Sequence, residues 1–190
     1  RDISAQDISS RKDLRNLNFV TIDGSNAKDF DDAVYAEENS DGFLLYVAIA
    51  DVSEYVLQDS SLDKEAFSRA TSVYFEKKVI PMLPELISNK LCSLRPNEDK
   101  LVLTCEIHLN REGEIKSYEF FNSVICSKNR LTYDEVEKFY QKGQTALSDD
   151  IVSNLSTLKK IHALRRKIRE ERKAIDFIFL NIGLLAKITK

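Results

Sequence analysis

Four aspartates, Asp23, Asp29, Asp31 and Asp32, fall within ten residues of one another. They sit in the segment Thr21-Ile22-Asp23-Gly24-Ser25-Asn26-Ala27-Lys28-Asp29-Phe30-Asp31-Asp32-Ala33. Carboxylates packed this closely repel one another, so a folded chain needs a reason to keep them together. A divalent cation is the usual reason, and hard oxygen donors select Mg²⁺, Mn²⁺ or Ca²⁺. An EF-hand calcium loop fails on spacing. It requires glycine at its sixth position, which is Val34 counted from Asp29 and Lys28 counted from Asp23. The competing reading is a solvated acidic turn, which accounts for most Asp-rich loops. Strand-like sequence on both sides favours the cation, because a loop anchored by rigid elements is where catalytic groups tend to sit.

The flanking elements can be read from pattern and turn chemistry. Phe19-Val20-Thr21-Ile22-Asp23 has the aromatic and β-branched content of a strand, and Gly24-Ser25-Asn26 reads as a turn. Ala33-Val34-Tyr35 restarts a strand. Residues 43–51 form a nearly continuous apolar run, as expected of a central strand buried on both faces. Residues 62–70 suit a helix capped by Asp59, Ser60 or Ser61. Ser72-Val73-Tyr74-Phe75 is β-prone, while Pro81 and Pro84 exclude a helix interior around them. Residues 101–109 and 115–126 read as two strands joined by a hairpin at Asn110-Arg111-Glu112-Gly113. A helix over 132–140 starts at Thr132, with Glu135 at capping-box spacing. The strongest helix spans 151–173, where Ile151, Leu155, Leu158, Ile161, Leu164 and Ile168 make one apolar stripe. Residues 178–190 read as strand, turn and strand. Residues 1–18 read as a lead-in from an upstream domain. Mixed strands and helices of this kind predict an α+β fold, with a mixed, largely antiparallel sheet flanked by helices.

A chain of 190 residues, 43% of them hydrophobic, suits one domain or a large piece of one. A net charge of −3 argues against a protein that merely coats nucleic acid, but not against an enzyme whose basic surface is local. The most apolar segment, around 177–186, is broken by Asn181 and Gly183 and is too short to span a membrane. With a polar start and no signal-peptide core, the expected location is the cytoplasm. Cys92, Cys105 and Cys126 form no Cys-x-x-Cys pair, and His108 and His162 are not placed to complete a zinc site, so reduced thiols are expected. Residues 159–173 are rich in lysine and arginine. They read as the solvated face of a helix, partly balanced by Glu170 and Glu171, or alternatively as a phosphate-tracking surface.

The string Phe19-Val20-Thr21-Ile22-Asp23, followed after five residues by Asp29-Phe30-Asp31-Asp32-Ala33, resembles the acidic signature of the catalytic (RNB) domain of the ribonuclease II/R superfamily. Val47-Ala48-Ile49-Ala50-Asp51-Val52-Ser53, Thr71-Ser72-Val73-Tyr74-Phe75, Val79-Ile80-Pro81-Met82-Leu83-Pro84 and Leu91-Cys92-Ser93-Leu94 are similar to further blocks of that family. So are Arg130-Leu131-Thr132-Tyr133 and Arg169-Glu170-Glu171-Arg172. Seven blocks in one order are far more specific than any single motif. Two departures stand out. Glu54 occupies a position where the family often has histidine or an aromatic residue, and the segment after Ile175 is shorter than usual. The resemblance makes residues 19–190 the N-terminal part of an incomplete catalytic domain. The family's arginine-bearing second half and its flanking OB-type RNA-binding domains are not in this sequence, so the chain alone is expected to have little activity.

What the resemblance implies is a hydrolytic exoribonuclease that shortens single-stranded RNA from the 3′ end and releases nucleoside 5′-monophosphates. Two Mg²⁺ ions would serve it. Carried onto this sequence, the metal ligands are Asp23, Asp29, Asp31 and Asp32, and the catalytic residues are Asp31 and Asp32. Asp32 acts either as a ligand or by orienting the attacking water. In an ideal strand Asp31 and Asp32 point to opposite faces, so both reach the metals only if the backbone bends. Tyr74 stands where the family stacks an aromatic ring on a base near the 3′ end; without the resemblance it reads as a core aromatic. Asp51, on an apolar strand, is expected to be hydrogen-bonded in a supporting role. The alternative is an RNA-binding module or pseudo-enzyme, which would be expected to have lost one or more of the acidic positions.

Overall fold

Strand alternation sorts the apolar residues onto two faces of a sheet, and helices close over part of each. The structure is a computed structural model that describes residues 3–75, 78–143 and 146–173. In chain order it contains the short helix α1 (Ala5–Ser9) and strands β1 (Lys12–Asp13), β2 (Val20–Asp23), β3 (Asp32–Glu38) and β4 (Gly42–Ala50). Helix α2 (Ser61–Arg69), strands β5 (Val73–Phe75) and β6 (Lys78–Ile80), and the long strands β7 (Asp99–Asn110) and β8 (Ile115–Cys126) follow. Strand β9 (Asn129–Thr132) and helices α3 (Tyr133–Lys142) and α4 (Asp149–Glu171) come last, and short helical turns lie at Val52–Glu54 and Ile87–Leu91.

Seven strands make one sheet in the order β1-β8-β7-β4-β3-β2-β9, and β5 and β6 form a separate hairpin. The β1–β8 and β2–β9 pairs are parallel; the other four pairs of the large sheet are antiparallel. The fold is therefore α+β with a mixed, largely antiparallel sheet, as the sequence pattern predicts. The expected caps are present. Thr132 accepts from the Glu135 backbone N–H while the Glu135 carboxylate accepts from that of Thr132, and Ser60 caps α2. At the β7–β8 hairpin Gly113 has φ +80°, and a Cβ there would lie 2.6 Å from Leu164 Cβ, so only glycine lets the turn pass beneath α4.

One face of the sheet packs Phe19, Ala33, Tyr46, Ala48, Val102 and Ile125 into the largest apolar cluster. The other face meets the helices: Val20 and Leu131 pack with Val136, Ile151 and Leu155, and Ala36, Phe43 and Leu109 pack with Ile161. The apolar stripe of α4 thus does what its spacing predicts. A buried polar residue on the same helix, Asn154, fixes where it docks. Its Oδ1 accepts from the Ala36 N–H and its Nδ2 donates to the Asn18 carbonyl, both at 2.9 Å.

Two expectations need adjustment. The strand over 43–51 is not buried along both faces, since Ile49 is 46% exposed and Leu103, paired with it on β7, is 44% exposed. The reason is that α4 covers only the part of this face around Ala36, Phe43 and Leu109. Residues 11–18, read as a lead-in, contribute β1 to the sheet edge and Leu14 to the core. Arg11 also pairs with Asp51 and Glu54. The strand-turn-strand expected over 178–190 lies outside the described residues.

Candidate active site

The acidic segment bridges two adjacent strands. β2 ends at Asp23 and β3 begins at Asp32, so Asp29 and Asp31 lie in the loop between them. Asp31 immediately precedes β3, and its carbonyl accepts from Ala50 N–H as the next rung after the Asp32–Ile49 pair.

The loop is held from several sides. Ala27 N–H donates to the Gly24 carbonyl at 3.1 Å, closing the turn. One Arg130 nitrogen, Nη2, donates to both Gly24 O (2.7 Å) and Ser25 O (3.0 Å). The hydroxyl of the fully buried Ser93 donates to Lys28 O (2.9 Å) and accepts from Phe30 N–H (3.1 Å). Leu94 N–H donates to Phe30 O and Ala50 N–H to Asp31 O, each at 2.9 Å. Phe30, 9% exposed, plugs the middle of the loop into the core. Ser93→Ala leaves the buried Phe30 N–H without an acceptor, and a destabilisation of about 1–3 kcal/mol is expected in urea titration. An unchanged midpoint would mean that the loop does not depend on this hydroxyl.

Electrostatics mark the cluster as a place of stored repulsion. Burial raises the Asp23 carboxyl above the usual carboxylate range; Asp32 and Asp29 push the same way and Arg130 opposes them. Asp31 is raised by desolvation first and then by Asp29, Asp32 and Asp23. It is exposed at the cleft mouth, yet the walls remove enough water to matter. Asp23 Oδ2 is buried without a hydrogen-bond partner among the described residues. The carboxylates stand apart rather than converging: among the described residues no three His, Cys, Asp or Glu side chains form a group close enough to hold a metal.

Beside the loop lies a cleft of about 600 Å³, lined by Asp29, Asp31, Lys28, Ile49 and Tyr74 among others. Asp23 and Asp32 are not part of its lining. Tyr74 stands on the β5–β6 hairpin with 68% of its surface exposed, so it is not a core aromatic. Asp51 is in a supporting position: Arg11 Nη2 contacts it at 2.8 Å and Ser53 Oγ donates to it at 2.6 Å. The basic run on α4 is largely engaged locally. Lys159 donates to Tyr140 O, Lys160 pairs with Glu38, Arg165 donates to Gly113 O and Arg166 pairs with Glu170. This favours the solvated-face reading over a phosphate track.

Sequence reasoning missed the parts played by Ser93 and Arg130. Both lie in recognisable blocks, but nothing local indicates that they reach loop residues 65 and 106 positions away.

A family model described as the RNB domain matches residues 11–187. Ribonuclease R of Acidithiobacillus ferrooxidans is 47% identical over 171 residues, covering 89% of this chain and 39% of that protein. Ribonuclease R of Escherichia coli (strain K12) is 46% identical over 172 residues, covering 89% of this chain and 21% of that protein. The structure of Mycoplasma genitalium RNase R in complex with double-stranded RNA matches with a TM-score of 0.89 at 37% identity, over 93% of this chain and 32% of that one. The chain therefore spans well under half the length of each of these relatives. With the family match running from β1 through the acidic loop to beyond α4, this chain belongs to the RNB domain family.

Proposed function

We propose that the protein is a hydrolytic 3′-to-5′ exoribonuclease that degrades single-stranded RNA to nucleoside 5′-monophosphates, with Mg²⁺ held by the acidic loop. The observation that carries this reading is the loop itself. Four aspartates lie on a backbone pinned at Gly24, Ser25, Lys28, Phe30 and Asp31, and one carboxylate oxygen, Asp23 Oδ2, is buried without a partner. A cation would satisfy that oxygen and offset both the burial and the mutual repulsion that raise Asp23 and Asp31. All the donors are hard oxygens, which suits Mg²⁺.

Asp23, Asp29, Asp31 and Asp32 would hold the metal by closing up from the spread arrangement they have in this structure. When bound, two Mg²⁺ ions would set positive charge against the scissile phosphate and make water easier to deprotonate. Asp31 and Asp32 are the catalytic pair, with Asp32 either joining the ligands or orienting the attacking water. Tyr74, exposed on the cleft wall, stacks on a base near the 3′ end, and stacking of this kind tolerates any sequence. Flanking OB-type domains would hold the upstream RNA. Three free cysteines suit a reducing compartment, and we place the activity in the cytoplasm.

The test uses the full-length protein and a 5′-labelled single-stranded oligonucleotide, in Mg²⁺ and in EDTA. The expected result is progressive shortening from the 3′ end with 5′-mononucleotides as product, abolished by EDTA. Internal cuts, nucleoside diphosphates or metal-independent cleavage would overturn the proposal.

Tyr74→Ala bears on the same reading. Loss of about 1–3 kcal/mol of stacking is expected to make short products dissociate earlier, so the final undegraded oligonucleotide lengthens. Product ladders identical to wild type would remove Tyr74 from the RNA path.

A further inference from the structure

We propose that Arg130 is a positioning residue for the acidic loop, fixing the backbone that separates Asp23 from Asp29 and Asp31. The proposal rests on the reading of that loop as the metal site and names what holds it in shape.

Arg130 lies on β9, which runs parallel to β2 with Thr132 in register with Asp23. Its side chain therefore leaves the strand that flanks the last residues of β2. A single nitrogen, Nη2, bridges two successive carbonyls of the turn, Gly24 O at 2.7 Å and Ser25 O at 3.0 Å. The guanidinium carbon lies 5.5 Å from the centre of the Phe30 ring, the apolar plug of the same loop. One planar cation thus grips the start of the loop by hydrogen bonds and its middle by ring contact. Gly24 and Ser25 are exposed, so without this grip the Ser25 carbonyl would turn freely to water and Gly24 O would keep the Ala27 N–H. Ser93 secures the other half at Lys28 and Phe30 but touches neither Gly24 nor Ser25. Between Asp23 and Ala27 the grip comes from Arg130 and the single Ala27-to-Gly24 hydrogen bond.

Lysine cannot reproduce this arrangement. An ammonium is a point donor on a flexible stem and lacks the plane that lies against Phe30. Residues that orient metal ligands without touching the metal typically contribute 10- to 100-fold in affinity or activity.

The experiment compares wild type, R130A and R130K of the full-length protein by three readouts. Hydrogen exchange of peptides covering residues 24–30 reports loop order with no metal present. Mn²⁺ binding, followed by electron paramagnetic resonance, reports the ligand set. Steady-state cleavage of a single-stranded oligonucleotide separates kcat from KM. In R130A, exchange in 24–30 is expected to speed up while β4 and β7 stay protected. Mn²⁺ affinity and kcat should each fall roughly 10-fold or more, with KM nearly unchanged. R130K should fall between the two, and it carries the test if R130A does not fold. Wild-type exchange in 24–30 in both variants overturns the proposal. A raised KM with unchanged kcat and Mn²⁺ affinity also overturns it, by making Arg130 an RNA contact. If wild type binds no Mn²⁺, the metal reading fails, and the exchange data alone still decide whether Arg130 orders the loop.

Discussion

Asp32→Asn in the full-length protein is expected to lower cleavage about 1,000-fold or more, equivalent to ~4 kcal/mol of transition-state stabilisation, while RNA affinity changes little. Asp32 opens β3 and its carboxylate is exposed, so an asparagine of the same shape leaves the strand pairing to β4 intact. RNA is held by cationic contacts and stacking spread over many nucleotides, and one carboxylate adds little to that. Removing a negative charge beside a phosphate can even tighten binding. Cleavage differs: in the proposed reaction it would depend on charge at one point, where the metals and the attacking water would meet a single phosphorus. Rate and dissociation constant should be measured on one single-stranded oligonucleotide, in Mg²⁺ and at fixed salt. Cleavage near the wild-type rate would remove Asp32 from catalysis. Joint collapse of affinity and rate would make the loop a structural element, and the acidic cluster would return to being an ordinary turn.

Arg11→Met is expected to destabilise the protein by about 3–5 kcal/mol, because it strands a buried carboxylate. Arg11 Nη2 lies 2.8 Å from Asp51 and 2.6 Å from Glu54, and its Nη1 donates to Val102 O at 3.3 Å. The side chains of Arg11 and Asp51 are 4% and 10% exposed, whereas that of Glu54 is 33% exposed and can turn to water. Losing the cation therefore harms Asp51 most. Asp51 N–H donates to Leu101 O, and Ala50 N–H donates to Asp31 O, so the damage adjoins the acidic loop. The double variant R11M/D51N should recover part of the loss, since it removes the stranded charge along with its partner. Urea titrations of the three variants decide the matter. A cost under about 1 kcal/mol for R11M, the range of solvated pairs, would show that water already screens this cluster.

Local pattern was enough for the longer elements and for marking out the acidic residues as a cluster. Thr132 and Glu135 announce α3, Asn110 to Gly113 announce the hairpin, and the stripe from Ile151 to Ile168 announces α4, because caps, turns and periodic apolar faces act over a few residues. The aspartates declare themselves because four like charges so close together are costly without a purpose. Tyr74 was ambiguous for the converse reason: an aromatic on a short β-prone segment suits a core or a surface equally, and only the exposed β5–β6 hairpin decides. The strand over 43–51 reads as buried throughout because apolarity cannot report where a covering helix stops, and α4 stops short of Ile49. Arg11 and Glu54 are separated by 43 positions and their pairing has no local signature; it places Glu54 against a buried cation. The same holds for Asn154 beneath the sheet and for Ser93 and Arg130 around the loop. A hydroxyl, an amide or a guanidinium looks the same in sequence whether it faces water or a distant carbonyl. The acidic cluster and the family blocks were therefore legible in residue types and spacing. How the loop bearing that chemistry is held was decided by strand order, which sets β9 beside β2 and carries Arg130 to Gly24 and Ser25.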